Sequence, residues 1–384
     1  MSTGMAHGYQ RIPLLAPAPG IARHLAVHRF GEDGARPLTY VQAGLHGDET
    51  AGPLVAHHLI RLLEAADADR RVRGEIRIVP MANPLGTDQN LLGRSIGRYA
   101  LTTGENFNRR FPALSARVMD LVGENLGQDQ AENVSEIRTA LMRTLTENRA
   151  VDEISSLRLT LLRLALPADI ALDLHGDGIE APHLGIGTHL WPGLQDLAAE
   201  MGAMAVLLSE DSGGMPFTDA LALPWRHLAD QFAPELPVPA DGCCAATVNL
   251  GGETMDDDEA EESAEALYRF LVHRGIVRDE VGPLPPLACH ATPLDGVDLV
   301  RTPAPGIVVY HCEVGEIVRT GDLLAEVVDP TAAEPTGGRV RIYSLADGCF
   351  FSRLGEALVR PGQILGKVAG DVALPRRGAN LLAP

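Results

Sequence analysis

The stretch that most constrains the fold of this chain lies at residues 43–52 and reads AGLHGDETAG. An apolar run at residues 39–41 precedes it and an apolar-periodic segment follows, so the sequence predicts a strand, a tight glycine-bracketed loop and a helix. His46 and Glu49 are three residues apart, so both can point from the loop and the first helical turn into one site. A histidine nitrogen and a glutamate oxygen suit Zn²⁺, although a helix-capping acid beside an incidental histidine gives the same spacing.

The strand and helix signals elsewhere in the chain indicate an α/β fold. Further strands are predicted at residues 24–30, 75–81, 184–188, 205–209 and 245–253, the last of them ending in a glycine turn. Helices are predicted at residues 49–66, at 256–273 and, as separate helices, within 114–166. Strands separated by long helices imply crossover connections, and we therefore expect a mixed, largely parallel sheet flanked by helices.

A second polar signal lies inside an apolar run at residues 169–178, which reads DIALDLHGDG. A buried strand seldom carries both an aspartate and a histidine without a structural or chemical reason. A hydrogen-bonded core histidine is one interpretation of His175. Beside His46 and Glu49, however, the end of this strand supplies the third ligand that a metal site requires.

Two neighbouring segments, residues 94–99 and 104–112, are rich in arginine and asparagine and poor in helical periodicity. They could form a solvated face. The alternative is a clamp for a carboxylate, because guanidinium groups bind carboxylates through two parallel hydrogen bonds.

The formal net charge of −19 argues against nucleic acid and anionic membrane surfaces as partners. Five cysteines, an odd number without a C-x-x-C motif, argue against a disulfide framework or a thiolate zinc site. No apolar run approaches the length of a membrane span or a signal peptide. We therefore expect a cytoplasmic protein with a small-molecule substrate.

A proline-rich segment at residues 282–286 marks a change in the character of the sequence. Two similar sequence segments, each with short strands and glycine turns, follow it, and they predict a small all-β module. We place the domains at residues 1–290 and 291–384. The module is expected to narrow the entrance to the site or to mediate self-association into a homo-oligomer.

Several motifs occur in a fixed order: His46-Gly47-Asp48-Glu49, Arg98-Tyr99, Asn108-Arg109, Asp173-Leu174-His175 and Thr247-Val248-Asn249-Leu250-Gly251-Gly252. In combination they resemble the succinylglutamate desuccinylase/aspartoacylase family, a branch of the zinc carboxypeptidase fold. The resemblance covers most of residues 20–275. It implies a zinc-hydrolase domain with a zinc-carboxypeptidase-like sheet, and the C-terminal module is similar to a barrel-sandwich hybrid.

The resemblance also implies a metal centre and an electrophilic group. One Zn²⁺ per chain would be bound by His46, Glu49 and His175. Three protein ligands leave a position open for water, whose pKa falls to about 7 on zinc. Arg98 would polarise the substrate carbonyl and stabilise the oxyanion.

Three further residues are expected to bind the substrate. The resemblance implies that Asn108 and Arg109 hold a substrate carboxylate. We count Asp173 with this group. On a regular strand it shares a face with His175 and could instead orient that ligand or pair with an arginine.

The expected general base departs from the family pattern. The family carries a glutamate where this chain has Asn249, and an amide cannot accept a proton near pH 7. Loss of a general base typically costs about 10²–10⁴ in rate. Glu253 is the nearest acid, but in a continuing strand it lies roughly 13 Å away. It can replace the base only if the chain folds back at Gly251 and Gly252.

The leading hypothesis is a zinc-dependent amidohydrolase that cleaves the amide of a small N-acyl amino acid or a related carboxylate. A carboxypeptidase acting on short peptides is a close variant. Because of Asn249, the alternative is a zinc-binding homologue with little or no hydrolysis, acting as a binding or regulatory protein or in acyl transfer.

Overall fold

The computed structural model describes residues 8–334 and 337–375. The strands up to residue 293 are β1 (Gly8–Pro13), β2 (His24–Phe30), β3 (Leu38–Ala43), β4 (Glu75–Val79), β5 (Asn90–Leu91), β6 (Arg94–Ser95), β7 (Ile170–His175), β8 (Ile179–Glu180), β9 (His183–Gly187), β10 (Ala205–Ser209), β11 (Cys244–Asn249) and β12 (Ala291–Pro293). The α-helices are α1 (Ala51–Ala68), α2 (Pro84–Thr87), α3 (Ser115–Val122), α4 (Gln130–Glu147), α5 (Glu153–Ala165), α6 (Gln195–Glu200), α7 (Phe217–Phe232) and α8 (Asp257–His273). Short 3-10 helices occupy Thr188–Gly193 and Leu294–Gly296.

The large sheet has nine strands in the order β1-β2-β4-β3-β7-β11-β9-β10-β12. Strands β4, β3, β7 and β11 run parallel to one another, and β9, β10 and β12 form a second parallel group. The two groups meet antiparallel at β11 and β9, and β1 and β2 form an antiparallel edge. The predicted α/β fold with a mixed, largely parallel sheet is therefore confirmed.

The centre of this sheet follows from the sequence pattern. Every residue of β3 and β7 is buried, as expected for strands that are covered on both faces by crossover helices. Helices α1 and α8 pack against each other. Helix α8 begins after Asp256, whose side chain accepts from the Glu259 N–H while the Glu259 side chain accepts from the Asp256 N–H. No helix within the described ranges combines the length and apolar character that a membrane span requires.

The C-terminal part is all β. Its strands are β13 (Val297–Arg301), β14 (Gly306–Tyr310), β15 (Ile317–Val318), β16 (Leu323–Val328), β17 (Arg339–Tyr343), β18 (Gly348–Arg353), β19 (Leu358–Val359) and β20 (Ile364–Gly370). They form two antiparallel sheets, β13-β20-β18-β15 and β17-β16-β14-β19. Side chains such as Leu324, Phe350 and Leu365 fill the core of these strands.

A short strand connects the two parts of the chain. Strand β8, which follows β7 after a glycine turn, pairs antiparallel with β18 and thus joins a C-terminal sheet. The Ala181 N–H donates to the Phe351 carbonyl at 2.8 Å and extends the pairing. This junction brings residues of β18 and β20 next to the carboxyl end of β7, where the predicted site residues lie.

Candidate active site

The three predicted metal ligands converge at the carboxyl edge of the large sheet. His46 lies in the loop after β3, Glu49 precedes α1, and His175 ends β7. Because β3 and β7 are neighbouring parallel strands, their ends meet at one edge. All three side chains are buried, and one ligand atom from each lies within 4.8 Å of the others.

Both histidines present Nδ1 to the Glu49 carboxylate. Nδ1 of His46 lies 2.7 Å from Oε1, and Nδ1 of His175 lies 2.7 Å from Oε2. Their Nε2 atoms face other acceptors, at 3.0 Å from Asn106 Oδ1 and 2.9 Å from Asp173 Oδ2. An acceptor on Nε2 favours the tautomer whose Nδ1 lone pair is free for a cation. Two nitrogens and one carboxylate oxygen are a donor set that fits Zn²⁺.

The electrostatics of this cluster also favour a cation. Burial by itself lowers the pKa of His175, but the Asp173 and Glu49 carboxylates outweigh it and raise that pKa to about 10. Burial raises the pKa of Glu49, yet the charges of His46 and His175 hold it well below its usual value. Two buried carboxylates next to a histidine therefore attract positive charge, which a proton or a metal ion can supply.

Arg98 reaches the same carboxylate because two glycine segments approach closely. The Gly47 N–H donates to the Gly97 carbonyl at 3.0 Å, and a Cβ at Gly97 would lie 2.5 Å from the Asp48 nitrogen. Only glycine fits this approach. It places Arg98 so that Nη2 donates to Glu49 Oε1 at 2.9 Å and lies 2.8 Å from a carboxylate oxygen of Asp177.

Asn108 and Arg109 are adjacent to the same cluster. The buried Asn108 accepts from the Phe217 N–H at 2.9 Å, and its Nδ2 lies 3.3 Å from His175 Nε2. Arg109 donates to the Asn108 carbonyl at 2.8 Å. Among the described residues, no carboxylate lies within ion-pair distance of its guanidinium. Burial and the charge of Arg98 lower the pKa of Arg109.

These groups open onto a cavity of about 310 Å³. Strands β11 and β9 form its floor. Alternation explains the lining residues of β11, whereas three consecutive residues of β9, Gly185, Ile186 and Gly187, line the cavity. Ala245, Thr247 and Asn249 contribute from β11. Helix α7, the loops that carry Arg98 and Arg109, and strands β18 and β20 form the walls. The C-terminal part of the chain thus supplies one wall of the site.

Asp173 does not line this cavity, in contrast to its expected place among the substrate-binding groups. Its side chain is fully buried, and Oδ1 accepts from Gln42 Nε2 at 2.8 Å while Oδ2 contacts His175. The regular strand points both Asp173 and His175 to one side, with the aspartate deeper in the protein. Asp173 is therefore placed to orient the histidine and is shielded from a ligand in the cavity.

The chain turns after Asn249, and Glu253 does not lie in an extended continuation of β11. Gly251 has φ +119°, a conformation that favours glycine, and the Glu253 N–H points to the Gly178 carbonyl at 3.4 Å. The Glu253 carbonyl accepts from the Thr50 N–H at 2.9 Å, at the start of α1. Glu253 is exposed as a residue and does not line the cavity, whereas Asn249 does. Partial burial of its carboxyl group, together with the Asp177 charge, raises the pKa of Glu253.

Other titratable residues of the cavity were not recognised from the sequence: Asp177, Glu180, His183, Asp219 and Lys367, together with Arg353 of β18, which pairs with Glu313. The sequence contains a feature that could have identified two of them, Asp177 and Lys367. Asp177 stands two residues after His175 in the same motif, and Lys367 is the only lysine of the chain. For Glu180, His183 and Asp219 nothing in the local sequence distinguishes them from surface or capping residues.

Comparisons with known proteins identify relatives of this chain. Residues 35–151 match the family model of the succinylglutamate desuccinylase/aspartoacylase catalytic domain. An N-alpha-acetyl-L-2,4-diaminobutyric acid deacetylase from Halomonas elongata is 23% identical over 368 residues, which are 95% of this chain and 92% of that protein.

Two solved structures cover almost the whole chain. A succinylglutamate desuccinylase/aspartoacylase-type protein from Shewanella frigidimarina NCIMB 400 has a TM-score of 0.84 and 25% identity, covering 96% of this chain and 98% of its own. A family protein from Shewanella amazonensis SB2B has a TM-score of 0.82 and 28% identity, covering 94% and 98%. The resemblance drawn from the motifs is confirmed.

Proposed function

We propose that this chain, similar to the succinylglutamate desuccinylase/aspartoacylase family over nearly its whole length, is a zinc-dependent amidohydrolase that removes the acyl group of a small N-acyl amino acid. One observation carries the proposal. A buried three-donor cation site and an arginine without a carboxylate partner among the described residues face the same cavity. Such a cavity is complementary to a substrate with a polarisable carbonyl at one end and a carboxylate at the other.

The residues of the chain have separate tasks in this reaction. Bound by His46, Glu49 and His175, zinc would supply a Lewis acid that lowers the pKa of water and polarises the acyl carbonyl. Arg98 places a positive charge beside this site, where negative charge develops on the acyl oxygen. Asp173 keeps the His175 ring in one orientation.

Arg109 and Asn108 would bind the carboxylate of the amino-acid part. A desolvated guanidinium that lacks a protein carboxylate attracts an anion from solvent strongly. The buried amide of Asn108 accepts from the Phe217 N–H, which orients it. This pair would set the distance between the carboxylate and the scissile amide, which selects small N-acyl amino acids.

The name of the Halomonas relative identifies Nα-acetyl-L-2,4-diaminobutyric acid as the first substrate to test. Asp219 provides an acceptor for a distal amino group, since it lines the cavity and is fixed by hydrogen bonds from the Ser212 hydroxyl at 2.6 Å and N–H at 3.1 Å. Burial raises the pKa of Asp219, and a cationic ligand would offset that effect.

The presence of Asn249 at the base position favours a second candidate, a zinc-binding protein that binds or transfers acyl groups with little hydrolysis. A panel of N-acetyl and N-succinyl amino acids, assayed for release of free amine, distinguishes the two. Multiple turnovers on at least one member support the hydrolase. Saturable binding of the same compounds to metal-loaded protein without amine release supports the second candidate. A short-peptide panel run in parallel tests carboxypeptidase activity.

A further inference from the structure

Three neighbouring strands carry polar side chains side by side at the floor of the cavity. Asn249 of β11 is in register with His175 of β7 on one side and with His183 of β9 on the other. Residues in register share a face of the sheet, and all three line the cavity. Two strand spacings put the backbones of His175 and His183 roughly 10 Å apart, with Asn249 of β11 between them.

The hydrogen bonds of His183 leave one ring nitrogen available. Its Nδ1 lies 3.0 Å from the Ala181 carbonyl, which can only accept, so Nδ1 carries the proton and Nε2 bears a lone pair. No group of the described residues hydrogen-bonds to Nε2. Burial lowers the pKa of His183, and Lys367 acts in the same direction while Glu180 and Asp177 oppose it. The ring is therefore neutral near pH 7.

The C-terminal strands hold this histidine in place. The Phe351 ring packs against it with 4.8 Å between ring centroids. Glu180 Oε1 accepts from Lys367 Nζ at 3.2 Å, and Oε2 is buried without a hydrogen-bond partner, 3.9 Å from His183 Nδ1. Lys367 thus fixes a carboxylate beside the protonated nitrogen of His183. The Ala181 carbonyl orients the ring by a hydrogen bond, and the Glu180 carboxylate acts on the ring through its charge, without a hydrogen bond to it.

The other carboxylates near the cavity are paired or do not line it: Asp219 accepts from the Ser212 hydroxyl at 2.6 Å, and Glu180 accepts from Lys367 through Oε1 at 3.2 Å. Asp177 forms an ion pair with Arg98 at 2.8 Å. The carboxyl group of Glu253 does not line the cavity. The amide of Asn249 has no basic atom near pH 7. His183 is the neighbour of Asn249 that combines a free lone pair with a place in the cavity.

We propose that His183 is the proton acceptor of the hydrolysis, in place of an acid at position 249, with Glu180 and Lys367 as positioning residues. This inference rests on the proposed function. His183 Nε2 takes one proton from the attacking water as the new C–O bond forms. The imidazolium then gives that proton to the amide nitrogen as the C–N bond breaks. The products are a carboxylic acid, which ionises to solvent, and a free amine, and His183 returns to its neutral form.

The first test compares His183→Gln with the matched control His58→Gln. His58 is also buried, pairs with Asp257 at 2.9 Å and does not line the cavity. We expect His183→Gln to lower kcat about 100-fold or more with little change in KM, and His58→Gln to leave kcat unchanged. Metal content, measured by elemental analysis, should stay the same in both variants. Adding Asn249→Glu to His183→Gln should restore turnover, which a misfolded variant could not do.

The second test measures how substitutions of Glu180 and Lys367 change the pH dependence of kcat/KM. Without the Glu180 charge the pKa of His183 falls, so Glu180→Gln should move the acidic limb of kcat/KM to lower pH. Without the Lys367 charge the pKa of His183 rises, so Lys367→Met should move the acidic limb of kcat/KM to higher pH. The ring resonances of His183, titrated by NMR without substrate, should shift in the same two directions. Shifts of one sign, or none, overturn the roles of both residues.

The outcomes separate this inference from the proposed function. If metal-loaded wild-type protein hydrolyses no member of the substrate panel, the proposed function is overturned and the role of His183 with it. If the wild type is active and His183→Gln matches it in kcat and pH profile, only the role of His183 is overturned.

Discussion

Replacing Arg109 by methionine tests the carboxylate site most sharply. Arg109 already donates one hydrogen bond to the Asn108 carbonyl and has no carboxylate partner among the described residues, so its remaining donors are available to a ligand. A hydrogen bond to a charged group contributes about 1.5–3 kcal/mol. Losing a two-bond contact, partly replaced by water, should cost about 2–4 kcal/mol, and thus roughly 30- to 1000-fold in Kd.

The assay is calorimetric titration with the product amino acid and, separately, with its carboxamide. Arg109→Met should weaken binding of the carboxylate ligand and barely affect the amide. The adjacent Arg110 is a matched control, because it is exposed and paired with Glu105 at 2.6 Å. Arg110→Met should change either Kd less than about threefold, within the usual range for surface substitutions. Equal losses for the acid and the amide, or equal effects of both substitutions, would refute the reasoning.

Three further substitutions probe the rest of the site. Asp173→Asn should reduce metal affinity about 10- to 100-fold in a chelator competition, because the two carboxylate oxygens face Gln42 and His175 and an amide keeps only one acceptor oxygen. Asn249→Glu should raise turnover of a good substrate about tenfold or more, measured by amine release. Gly97→Ala should lower both Tm and kcat, because a Cβ would clash with backbone 2.5 Å away, whereas Gly127→Ala, with nothing within 4 Å, should lower neither.

Local patterns were sufficient for most of the large sheet. The predicted strand at residues 205–209 coincides with β10, and the strand at 24–30 coincides with β2. Apolar runs identified β3 as a strand and β7 as a buried strand, and parallel pairing then required their ends to meet. For this reason the sequence alone predicts that His46 and His175 converge.

The remaining features depend on contacts between distant parts of the chain. The pairing of β8 with β18 joins residues more than 170 positions apart, and no local periodicity encodes it. The position of Lys367 in the wall of the cavity could not be predicted either, because it also depends on contacts between distant parts of the chain. Helix α7 was missed because Pro224 interrupts its pattern. The turn at Gly251 was recognised only as an option, since glycine permits a turn without requiring one.

In the proposed function, a metal ion at His46, Glu49 and His175 enables amide hydrolysis in this cavity. The most direct test measures zinc per chain and amine release on the same sample before chelation, after chelation and after zinc is restored. We predict one zinc per chain, loss of turnover with the metal, and recovery of both, with His175→Ala deficient in both throughout. Full turnover by the metal-free protein, or full zinc content in His175→Ala, would contradict the account.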